Sequence, residues 1–313
     1  MIDFRYLLIT VVAIFLALTV GIVVGAGFLG EPLRAGLERD VQRVRELNGD
    51  LRRQNNDLNE QIANNRAFAE SVEPWVVDEQ LAGRQVVLFS FDGTAEGVLD
   101  NVRLALEESR AELTTTVGLT EKLALREQPD REQLALILGS DSRDPAELRS
   151  ETAARLGDMV GEVASQLQDG GSELQVELLL SRLAEDGFVA VDREVEDVLV
   201  PPGASFVIAG GNSEGAPFPA SSFAEELGMG LGRDHEDIDV LAAEPSDSTW
   251  GIVQNIRESS AANPVISTVD QIENAQGRIS LVLGLAQPSS EPAGHYGTQP
   301  GATDPIPEPF PGD

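Results

Sequence analysis

The stretch from Tyr6 to Gly30, YLLITVVAIFLALTVGIVVGAGFLG, runs for 25 residues without a charged side chain. About 20 apolar residues cross the hydrocarbon core of a bilayer as a helix, so this one is long enough to span. It predicts a transmembrane anchor over residues 1–30 and makes the lipid bilayer a partner of residues 6–30. The competing reading is a secretory signal, because Arg5 is basic and Gly25, Ala26 and Gly27 offer small residues for cleavage. A signal core holds roughly 7–15 apolar residues; this run is longer and reads as an anchor or an uncleaved signal anchor. Gly21 and Gly25 form a small-xxx-small pair that would let two such helices pack closely.

After Pro32 the apolar spacing becomes 4,3. With Val41, Asn48, Asn55 and Ile62 at a positions, Leu37, Val44, Leu51 and Leu58 fall at d, and the register holds for more than four heptads to about Ala69. A sustained heptad pattern argues for a coiled coil. Asparagine at a hydrogen-bonds to its mate across a parallel two-stranded seam and sets register. Asn48 and Asn55 therefore predict a parallel homodimer through residues 31–73, with Pro74 ending the helix. A single amphipathic helix lying on the domain behind it is the alternative.

The whole chain carries a formal charge of −31. Residues 1–30 are neutral and residues 31–70 hold seven arginines against eight acids, which leaves −30 on residues 71–313. Such a surface repels nucleic acid and anionic lipid. Lys122 is the only lysine, and the same acidity would suit a salt-adapted proteome. No cysteine is present, which excludes disulfides and thiolate metal sites.

Residues 74–287 alternate strand-like and helix-like segments. Strands are expected at Gln85–Phe91, Ala111–Leu119, Phe188–Val191, Ser205–Gly211, Asp237–Ala243 and Arg278–Gln287. Helices are expected at Pro145–Leu167, Ser172–Glu185, Ser221–Leu227 and Thr249–Ser259, with an amphipathic run after Thr94. This alternation predicts a mostly parallel α/β sheet with helices on both faces. From Pro288 onward the chain is rich in proline and glycine and lacks apolar periodicity, so residues 288–313 read as a disordered tail.

Parallel sheets bind ligands in the crevice at the carboxyl ends of their strands. The candidates there are Asp92-Gly93-Thr94 and Gly210-Gly211-Asn212-Ser213. Neither is a GxGxxG or a Walker A, there is no GxSxG elbow, and tight turns explain both glycine sets. The reading is no enzyme, no catalytic residue and no bound cofactor. Copper prefers sulfur or imidazole ligands, yet the methionines are Met1, Met159 and Met229 and the histidines His235 and His295. His235 lies among acids and His295 in the tail, so both are weak metal candidates.

Three segments, AIFLALTVGIVVGAGFLG at Ala13–Gly30, ISTVDQIENAQGRISLVLGL at Ile266–Leu285 and GHYGTQPGA at Gly294–Ala302, resemble the actinobacterial MctB family. The order of anchor, coiled coil and α/β domain fits as well. The resemblance implies a cell-envelope protein with its bulk outside the membrane and a role in copper transport or homeostasis, copper being a transported or sensed ion. A positive-inside count runs the other way, since Arg34, Arg39, Arg43 and Arg45 follow the span; long domains translocate largely regardless of charge. A barrel would need many alternating segments of about ten residues, so no pore is legible in one copy. A related branch, SteB, implies the alternative function: a non-enzymatic dimeric envelope scaffold that regulates cell-wall hydrolysis or cell separation, with a cell-wall or divisome protein as partner.

Overall fold

A computed structural model of the chain describes residues 4–165, 172–192, 200–233, 235, 237–288 and 291–308. It divides into two units, Met1–Asn65 and Arg66–Asp313. Helix α1, Phe4–Val77, supplies the described residues of the first unit and the opening element of the second. Within it Arg5–Gly25 has a mean hydropathy of 3.0 over 21 residues, has no buried residue, and is long and apolar enough to cross a membrane. The helix passes Pro74, where a stop was expected. Proline removes one donor and crowds the preceding turn, but here it lies one turn from the end. The terminal turn is also held from outside by Glu73 and Val77, both buried in the second unit.

The second unit is built on a seven-stranded sheet of order β3-β2-β1-β4-β5-β6-β7. The strands are β1 Gln85–Phe91, β2 Glu112–Leu119, β3 Val189–Val191, β4 Ser205–Ala209, β5 Val240–Ala243, β6 Ser267–Val269 and β7 His295–Tyr296. All pairings are parallel except β2 with β3. The helices are α2 Glu96–Glu108, α3 Gln128–Leu138, α4 Pro145–Ala164, α5 Ser172–Glu185, α6 Ala220–Gly232, α7 Ile252–Glu258 and α8 Ala275–Ala286.

Because successive side chains of a strand point to opposite faces, each central strand feeds two cores. Phe89, Phe91, Phe206 and Ile208 pack under α3 to α7, while Val86, Leu88, Val207 and Ala209 pack under α2, α8 and the end of α1. The expected mixed α/β architecture, mostly parallel and with helices on both faces, is what forms.

Two expectations at the C-terminal end are overturned. The run RISLVLGLAQ, expected as the last strand, lies in α8 and is buried nearly all round. A short apolar run cannot be assigned by periodicity alone, and Asn274 decides it by accepting from the Gly277 N–H at 3.0 Å as a helix N-cap. The tail expected to be disordered is folded where it is described. His295–Tyr296 form the seventh strand, paired Thr268↔His295 and Val269↔Tyr296, and Tyr296 adds a bridge to Asp304. The remaining tail residues, 289–290 and 309–313, lie outside the described set. Pattern reading also passed over α3 and β6.

Candidate functional site

The strand order reverses direction between β1 and β4, the switch point at which parallel sheets open a crevice. Here the crevice is occupied by the chain's own side chains. The Asn212 amide donates to the Gly93 carbonyl, and its oxygen accepts from Trp250 Nε1 at 3.1 Å and from the backbone N–H groups of Glu214 and Gly215 at 2.7 and 2.8 Å. The Trp250 ring meets Phe91 edge-on with centroids 6.0 Å apart. Gly210 sits so close to Ile252, Phe91 and Trp250 that a side chain there would collide with them.

Along the same carboxyl edge, the first residue past four strands is polar and ties down a loop. Asp92, after β1, accepts from the N–H groups of Gly93 at 3.0 Å and Glu121 at 3.2 Å. Thr120, after β2, donates to the Gly187 carbonyl at 2.7 Å. Glu244, after β5, is buried and accepts from the Ile252 N–H at 3.0 Å. Its carboxyl is pushed up to about 7 by burial, which outweighs its hydrogen bonds to α7 and Ser248 and the pull of Arg257.

Asp270, after β6, is the most heavily engaged. It accepts from Arg257 Nη1 at 2.9 Å, the Thr298 N–H at 2.9 Å and the Gln299 N–H at 3.0 Å. The Arg257–Asp270 pair is almost wholly buried, 1% and 0% exposed at the side chains. Arg257 also donates through Nη2 to the Tyr296 carbonyl at 2.8 Å and through Nε to Thr268 Oγ1 at 2.8 Å. This is why a proline- and glycine-rich segment is ordered. Its backbone groups find buried charged partners, and such bonds are roughly twice as strong as neutral ones. Gly297, at φ +130, leaves room for the Asp270 carboxylate; a Cβ there would overlap it.

His295, expected in a solvated tail, is 3% exposed in β7. Its Nε2 lies 3.1 Å from the Asn263 carbonyl and its Nδ1 lies 2.9 Å from Thr268 Oγ1. A carbonyl only accepts, so Nε2 carries the proton and Nδ1 accepts from the threonine hydroxyl. Burial and the neighbouring Arg257 lower the imidazole below its ordinary value and keep it neutral. Both ring nitrogens are engaged, so this histidine meets a metal only by breaking the network. His235 has a buried Nδ1 with no hydrogen-bond partner among the described residues, and its ring edge lies against Gly161 of α4. Among the described residues no three His, Cys, Asp or Glu side chains converge in a way that could hold a metal ion.

In the first unit the eight seam residues, Leu37, Val41, Val44, Asn48, Leu51, Asn55, Leu58 and Ile62, are all exposed in the single chain. Asn55 accepts from Asn59 on its own helix at 2.9 Å. A Cβ added at Gly21 or Gly25 would meet nothing within 4 Å, so nothing in the described chain requires glycine at either position.

A second buried pair was not foreseen. Arg278 of α8 grips Glu73 of α1 through two bonds of 2.6 Å and reaches Asn101 of α2 at 2.8 Å. The signal was present, because Arg278 opens an apolar run and Arg257 follows Ile252, Val253 and Ile256. A charge inside an apolar stretch is expected to be paired once buried.

The family described as Copper transport outer membrane protein, MctB, matches residues 1–307. The chain belongs to the MctB family. It is 26% identical to the Copper transporter MctB of Mycobacterium tuberculosis (strain ATCC 25618 / H37Rv), over 96% of this chain and 98% of that one. It is 27% identical to the Copper transporter MctB of Mycobacterium leprae (strain TN), over 97% and 98%. Each of these two MctB relatives is thus matched over 98% of its own length.

Proposed function

We propose that this protein is a membrane-anchored component of copper transport and homeostasis in the cell envelope. The observation that carries the reading is the full-length match to proteins named as copper transporters. In this reading residues 6–30 cross one membrane once, and the sheet domain lies outside the cytoplasm. The chain is not an enzyme and holds no resident cofactor; copper is its cargo or the ion it senses. Two copies pair in parallel through the exposed heptad face of α1, with Asn48 and Asn55 setting register. Support comes from the six apolar seam residues, 41–67% exposed in one chain. Full burial of each such side chain is worth about 1.5–3 kcal/mol, enough to offset the cost of association.

The test is deletion of the gene, with complementation by the intact chain. The deletion strain should accumulate copper and grow poorly in its presence, and complementation should reverse both. Copper content that stays at the parental level would overturn the proposal.

A further inference from the structure

We infer that a cleft between α3, α4 and α5 binds a carboxylate carrying a short aliphatic chain. It rests on a contrast of chemistry within one cavity of about 240 Å³. Its apolar lining comes from Ile137 of α3, Met159 of α4 and Leu178 and Leu179 of α5, and its charged lining from Arg155 and Arg182. Among the described residues the one remaining lining group is the Gln175 amide, and none of them brings a carboxylate to the cavity.

On a chain of net charge −31 this is a local inversion of sign. Arg84–Asp239, Arg110–Asp78, Arg257–Asp270 and Arg278–Glu73 are matched to acids. Arg155 instead donates to the Leu138 carbonyl at the end of α3, which holds one edge of its guanidinium, and Arg182 has no ion pair among the described residues. Two guanidinium groups at the mouth of an apolar cleft complement an anionic head with a tail behind it.

The exposed apolar surface agrees. Leu178, in the lining of the cleft, is 49% exposed. At about 30 Å³ per small heavy-atom group, by analogy with liquid water, the cavity holds roughly eight such groups. That matches a chain of the length of octanoate rather than a long acyl chain.

The three methionines allow a direct test, because only Met159 lines this cleft. The full chain, labelled with 13C at the methionine methyl groups and held in zwitterionic nanodiscs, is titrated with octanoate. The Met159 methyl should shift saturably while Met229 stays in place. In a variant carrying R155Q and R182Q the affinity should fall at least tenfold, with an unmoved Met229 signal showing that the fold is intact. L178E should abolish the shift while leaving both arginines. Octanol and acetate, which lack the charge or the tail, should each bind at least tenfold more weakly. A Met159 signal that does not respond, that responds equally in the double arginine variant, or that responds equally to octanol would overturn the inference.

Discussion

Replacing Glu244 with glutamine should change how the stability of the sheet domain depends on pH. The carboxyl is 1% exposed and lies between the start of α7 and Arg257. Burial lifts it from an ordinary 4.5 to about 7. Between those values the folded protein holds a proton that the unfolded chain has released. Stability from this group is therefore greatest below about pH 4.5, falls as pH rises and levels off above about pH 7. At about 1.4 kcal/mol per tenfold change in proton affinity, the total loss is about 3 kcal/mol. Glutamine keeps an acceptor for the Ile252 N–H and has no proton to lose. For a domain of this size about 3 kcal/mol corresponds to roughly 6–12 °C in melting temperature. Melts are followed by fluorescence of Trp250, 7% exposed, with the exposed Trp75 replaced by phenylalanine in both proteins. The melting temperature of E244Q relative to its parent should rise by that amount between pH 4.5 and 8. Taking the difference cancels His295, which acts the other way: its lowered value costs stability as pH falls below about 6.5. A difference that stays level across the range would refute the assignment of Glu244 as a buried, protonated cap.

Other substitutions test the remaining parts. R278M should destabilise the domain by about 3–5 kcal/mol, since it leaves Glu73 buried without its partner, and E73M with R278M should recover most of the loss because the pair is then replaced by apolar groups. If the double variant melts no higher than R278M, the pair is not the cause. D270A should release β7, read as fast hydrogen exchange and proteolysis within residues 291–308 while Leu88 and Val207 stay protected; continued protection of Tyr296 would count against the network. L51E with L58E should turn a dimer into a monomer by native mass spectrometry of the full chain in detergent, and a persistent dimer would argue for pairing elsewhere. The chain has no cysteine, so D247C, on an exposed loop, gives a single label site. A membrane-impermeant maleimide should modify it in intact cells, and labelling only after lysis would place the domain in the cytoplasm.

Pattern reading found the elements whose signal is local. The apolar run, β1, β2, β4 and the helices at Pro145 and Ser172 each carry a periodicity or a cap that neighbours do not override. It failed where the deciding partner lies far along the chain. RISLVLGLAQ is equally apolar as a strand or as a buried helix, and the cap at Asn274 together with burial on every side selects the helix. His295 looked like a tail residue because nothing near it in sequence shows that Thr268, Asn263 and Arg257 enclose it. Glu244 and Asp270 read as two more acids in an acidic chain, although each caps a loop at the end of a strand.

What the sequence by itself determined is the order of parts: an apolar helix long enough for a membrane, a heptad-patterned stretch of the same helix and an alternating α/β domain with the segments of the MctB family. These follow from short-range composition and period, which fix how each piece meets solvent or lipid. Only the tertiary structure decided that the switch-point crevice is filled by Asn212 and Trp250 and that the last strand comes from a proline-rich segment. The same holds for the cleft that gathers Arg155 and Arg182 from two helices. Each of these depends on groups brought together across long stretches of chain, and a buried charge or an unpaired backbone group is stable only where such a partner arrives.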